Sequence, residues 1–111
     1  MRRTKKRKNK STTFVDLQDR VWAIEFTPEL LAEIRVKNGV DLSVLSAEPF
    51  GELAADIEMV VRVLWLCVAE QAVAAGVTPV QFAENLGRQI VPAAAALGAA
   101  LKQYHRKRLF G

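Results

Sequence analysis

The chain has 111 residues, half of them apolar and 25% charged, with a formal net charge of +4 and one cysteine. That length suits one domain with a real core, and the lone Cys67 excludes an internal disulfide and any multi-cysteine metal site. The charge is segregated. Seven of the first ten residues are basic (Arg2, Arg3, Lys5, Lys6, Arg7, Lys8, Lys10), and Lys102, Arg106, Lys107 and Arg108 stand near the other end, so the ends carry +11. Residues 11–101 hold five basic side chains against all twelve acidic ones, which is −7. The sequence pI of about 9.6 therefore hides an acidic body between basic ends.

Residues 1–11 read as a disordered basic arm, because like charges repel and nothing apolar offsets the cost of ordering. No apolar stretch follows the arm, since Asp16, Gln18, Asp19, Arg20 and Glu25 interrupt, so a secretion signal is not expected and a cytoplasmic location is. Ile90 to Leu101, the longest apolar run, is too short for a bilayer, which needs about 18 residues.

Order begins near Thr12. Thr12 to Val15 are β-formers and Asp16-Leu17-Gln18-Asp19 is turn chemistry. Trp22, Ile24 and Phe26 then alternate with Ala23 and Glu25. Residues 12–26 therefore read as a β-hairpin whose apolar face must rest on helices, since a hairpin alone is marginal in water.

Thr27-Pro28 starts a first helix over about 28–38, with Leu30, Leu31 and Ile34 as its stripe and Asn38-Gly39 as its stop. A short turn follows through Leu42, Val44 and Leu45, capped by Asp41 or Ser43. Glu48-Pro49 reads as a break and Phe50 to Ala55 as a short helical turn. The longest helix spans about 56–75, apolar around most of its circumference and so expected to be buried on most sides. Thr78-Pro79-Val80-Gln81 is a capping box for a helix over about 79–87. A last helix covers about 90–106, leaving 107–111 as a tail. Thr27-Pro28 and Thr78-Pro79 open similar stretches, which is ordinary helix-start grammar. The expected fold is α+β, mainly α: an N-terminal β-hairpin followed by a small bundle of about four helices, a domain over 12–106.

Catalytic chemistry is sparse. His105 lies in a basic cluster without an acid to orient it and reads as a solvated terminal histidine. Cys67 lies among Leu64-Trp65-Leu66 and Val68, where a thiol is buried and inert. Glu29 and Glu33 are neighbours on a helix face, and the six glycines are dispersed and form no phosphate loop. No enzyme activity, cofactor or metal is expected. Surplus apolar character is the notable feature: 30 of the 46 residues in 56–101 are Ala, Val, Ile, Leu, Met, Phe, Trp or Cys. Trp65, Phe82 and Leu86 read as core, with Ala93 to Ala96 allowing close packing; the domain as a whole is expected to leave an apolar surface for a protein partner. By type and position, Leu64, Trp65, Phe82 and Leu86 are the first client-contact candidates. The basic residues Arg2, Arg3, Lys5, Lys6, Arg7, Lys8, Lys10, Arg106, Lys107 and Arg108 are candidates for phosphate or an acidic protein surface. Nothing aromatic is interleaved in the arm to stack on single strands.

The stretch Phe14-Val15-Asp16-Leu17-Gln18-Asp19-Arg20-Val21-Trp22 resembles the opening of bacteriophage and prophage tail assembly chaperones, F-x-D-x-x-G-R-x-W, with Asp19 in place of the glycine. The likeness continues through Thr27-Pro28, Gly39-Val40-Asp41-Leu42, Val61-Val63-Leu64-Trp65, Glu70-Gln71-Ala72, Gly76-Val77-Thr78, Phe82 and the small-residue run Ala93 to Leu101. It spans about residues 13–104 and leaves both basic ends outside. The resemblance implies a non-catalytic protein that keeps the long helical tape measure protein soluble in the host cytoplasm. It also implies help in gathering tail tube subunits, departure before the virion is complete, and often a longer frameshifted product. Two other readings stand beside it: a small helical nucleic-acid-binding protein using its basic termini, and an oligomerisation module with an exposed hairpin edge.

Overall fold

The computed structural model describes residues 12–44 and 48–110. Two short strands, β1 (Thr13–Val15) and β2 (Val21–Ala23), pair antiparallel with Phe14 opposite Trp22. Five α-helices follow: α1 (Pro28–Asn38), α2 (Glu48–Ala54), α3 (Ile57–Ala75), α4 (Pro79–Leu86) and α5 (Ile90–Phe110), with a 3₁₀ turn at Gly87–Gln89. The class is α+β and mainly α, as expected, with four helices of eight or more residues and the shorter α2.

The helix starts are chemically explicit. The amide of Leu30 donates to Thr27 Oγ1 at 3.1 Å, and that of Met59 to Asp56 Oδ1 at 3.2 Å. The capping box before α4 closes in both directions, Gln81 N to Thr78 Oγ1 at 3.1 Å and Thr78 N to Gln81 Oε1 at 3.0 Å. α3 ends on Gly76 at φ +74°, where its amide reaches back to the carbonyls of Ala72 and Val73.

Three expectations need correction. Glu48-Pro49 does not break the chain but opens α2, because a proline in the first turn forfeits no helical hydrogen bond. The ladder of the hairpin is shorter than residues 12–26, yet Ile24 and Phe26 stay buried beyond it. α5 does not stop near Arg106: it runs through the expected tail to Phe110, with Lys107 and Arg108 at the negative end of its dipole. Arg108 also holds that end down, donating to the Ser43 carbonyl at 3.3 Å and lying 5.8 Å from the Tyr104 ring centre. The basic arm and Leu45 lie outside the described residues.

α3 is the axis of the fold. α1, α2, α4, α5 and β2 all pack against it, which buries Val60, Val63, Leu64, Val68 and Ala72 completely or nearly so. Phe82 of α4 completes the core under the hairpin. Its ring meets Trp22 at 5.4 Å, Trp65 at 5.9 Å and Phe14 at 6.4 Å. Ala93, Ala96, Leu97, Ala100 and Leu101 form the buried face of α5, and the three alanines bring that helix close.

Candidate functional site

The turn that carries the F-x-D-x-x-G-R-x-W resemblance is one interlocked unit. Asp16 is buried and accepts from the amides of Gln18 at 2.8 Å and Arg20 at 3.0 Å. Its second oxygen accepts the Trp22 indole N–H at 3.0 Å. Burial works to raise the Asp16 carboxyl, but the Arg20 amide, the Trp22 indole and the Gln18 amide outweigh it and hold the group below its usual range. Asp19 stands at φ +62°, the left-handed conformation that glycine adopts most readily, at the position where the resembled pattern carries glycine. Arg20 lies 5.9 Å from the Trp22 ring centre. The residues of this pattern therefore build the hairpin and its seat on the core.

Both hairpin edges are closed by side chains. Gln71 of α3 acts as a substitute strand for β2: its Nε2 donates to the Ala23 carbonyl at 2.7 Å and its Oε1 accepts the Ala23 amide at 3.1 Å. On the β1 side, Gln89 Nε2 donates to the Val15 carbonyl at 2.9 Å. The turn itself is anchored by the Leu17 amide on the Asn85 carbonyl at 2.8 Å. It fits so closely that a Cβ on Gly87 would stand 2.6 Å from Leu17 Cδ1. An open hairpin edge, which the oligomerisation reading requires, is thus blunted by two glutamines and a docked turn.

The client-contact candidates fall mostly inside. Leu64, Phe82 and Leu86 are buried in the core and present no surface, and Trp65 is half-buried against Phe82. Leu64, Phe82 and Leu86 are therefore core residues, not contact residues. A helix as apolar as α3 does not announce which side faces out, so size and apolarity selected the inward side chains.

The less covered side of α3 carries a different set. Met59, Arg62, Leu66, Ala69 and Val73 follow one another at alternating steps of three and four, the spacing of a seam that receives another helix. Met59, Leu66 and Ala69 are half-buried, while Arg62 and Val73 are exposed, Val73 to 74%. Glu58 and Glu70 flank the stripe, and Glu58 pairs with Arg62 at 3.6 Å. Met59 also lines a groove of about 510 Å³ between the end of α1 and the α2–α3 corner. Its floor includes Val40, Val44 and Leu53, and the carboxylates of Asp41, Glu52 and Asp56 rim it. The Ser43 hydroxyl and amide hold the Asp41 carboxyl below its ordinary value.

Among the basic candidates, Arg106, Lys107 and Arg108 are exposed on the last turns of α5, whereas Arg2, Arg3, Lys5, Lys6, Arg7, Lys8 and Lys10 lie outside the described residues. His105 is not a solvated end residue: it is half-buried, with Nε2 3.1 Å from the Leu42 carbonyl. Burial pushes the Cys67 thiol up to about 12, so it carries no thiolate at neutral pH. Among the described residues no three His, Cys, Asp or Glu side chains cluster as metal ligands. No single helix there is long and apolar enough to cross a membrane; α3 qualifies only jointly with the α4–α5 segment, across a bend of 110°.

Comparison with known proteins finds no matching family model, no matching curated protein and no matching solved structure.

Proposed function

We propose that the chain is a non-catalytic tail assembly chaperone whose α3 stripe receives an amphipathic helical segment of a tape measure protein. The client is held soluble in the bacterial cytoplasm until tail tube subunits gather on it. The observation that carries this reading is the Met59–Val73 stripe: side chains at helix-docking spacing on the most apolar helix of the domain, half-buried at Met59, Leu66 and Ala69 and exposed at Arg62 and Val73. Further support comes from the resemblance, whose motif residues Phe14, Asp16 and Trp22 are all buried in one unit with Asp19 in a glycine-like conformation. The acidic residues of the body favour solubility of a covered complex.

Calorimetric titration of the chain with an amphipathic helical tape measure segment tests the reading. Saturable binding with a negative heat-capacity change, the mark of apolar burial, is expected. Absence of heat together with unchanged solubility of the segment would refute it.

A further inference from the structure

We infer that the chain pairs with a second copy of itself, the Arg106–Leu109 end of α5 in each copy seated in the other's acid-rimmed groove. The two surfaces match in both apolar and charge character. The groove presents exposed Val44 with half-buried Val40 and Met59 between Asp41, Glu52 and Asp56, and no Lys or Arg is among the described residues that line it. The helix end presents Leu109, exposed to 59%, beside the exposed cations Arg106, Lys107 and Arg108.

Their placement decides the symmetry. Both surfaces abut the Asp41–Val44 loop. Asp41 and Val44 line the groove, while the Leu42 and Ser43 carbonyls meet His105 and Arg108 on the α5 side. Adjacent positive and negative patches are self-complementary under a two-fold rotation, which lays each on its opposite twice over. Neither of the ion pairs described within the chain, Lys37–Glu33 and Arg62–Glu58, joins the two surfaces, while Arg108 already donates to the Ser43 carbonyl and Asp41 and Asp56 already accept from Ser43 and the Met59 amide, which leaves Arg106 and Glu52 as the principal charges of the pairing.

A nucleic-acid backbone on the same cations would run past the groove's carboxylates across one short loop and meet repulsion there, whereas a second copy meets attraction at both places. Exposed ion pairs add little affinity individually, so Leu109 supplies the attraction and the charges set register and salt dependence. The pairing does not require the client reading, and the two surfaces share Met59.

Sedimentation velocity on the full chain in about 0.1 M and about 1 M salt tests the pairing. A concentration-dependent monomer–dimer equilibrium is expected at low salt, shifting to monomer at high salt. Leu109→Asp, Arg106→Glu and Glu52→Arg should each weaken it about tenfold or more with unchanged helical circular dichroism, since all three side chains are exposed. An equimolar mixture of the Arg106→Glu and Glu52→Arg chains should regain the dimer, because both contacts are then complementary again. A monomer at both salts, an open-ended ladder of larger species, or variants that dimerise like the unmodified chain would overturn the pairing. So would a chain that stays monomeric and binds a short DNA duplex instead.

Discussion

The Asp16 carboxylate accepts the Trp22 indole N–H at 3.0 Å in the buried interior of the hairpin, so one side chain fixes both the turn and the largest aromatic of the core. Its other oxygen is committed to two backbone amides. Replacement by Ala leaves an indole and two amides without their acceptor, and a loss of about 3 kcal/mol is expected in chemical denaturation. The sign of the pH dependence follows from the lowered carboxyl. Its contribution is complete above the unfolded value near 4 and is lost as pH falls through the lower folded value. Thermal melts should therefore show the gap between Asp16→Ala and the unmodified chain narrowing as pH falls through the lower folded value and constant above about pH 4.

Asp19 holds a left-handed backbone at φ +62° that disfavours side chains other than glycine. Asp19→Gly should raise stability by about 0.5–1 kcal/mol and leave the fold unchanged. A loss of stability on that substitution would mean that the turn depends on the aspartate side chain.

Gln71 closes the β2 edge with two hydrogen bonds from its amide. Gln71→Leu replaces the amide with a shorter apolar end and removes both bonds. A cost of about 1 kcal/mol is expected, together with slow growth of larger species in size-exclusion chromatography as the bared edge recruits other strands. Gln71→Glu, which keeps one acceptor for the Ala23 amide, should lie between the two.

How far the sequence could be read is visible element by element. Thr78, Pro79 and Gln81 announced α4 because a capping box is local chemistry, complete within four residues. The alternation at Trp22, Ile24 and Phe26 announced the buried face of the hairpin for the same reason. Pro49 misled because proline both ends and begins helices, and only the chain that follows decides which. The edge caps were invisible: Gln71 and Ala23 are 48 residues apart, Gln89 and Val15 are 74 apart, and no local pattern links them. The exposed side of α3 lay between. Its polar residues Glu58, Arg62 and Glu70 sit at helical spacing and mark the outward face, which points to Leu66, Ala69 and Val73 in place of Leu64.

The most direct measurement is co-expression of a tape measure segment with paired variants of α3, reading client solubility and chaperone folding side by side. Arg62→Asp combined with Val73→Asp should abolish solubilisation of the segment while the chaperone still melts cooperatively, because both side chains are exposed. Leu64→Ala should cost about 2–5 kcal/mol of stability and lose client only as the chain unfolds. Full solubilisation by the folded double variant would contradict the assignment of α3 as the client surface.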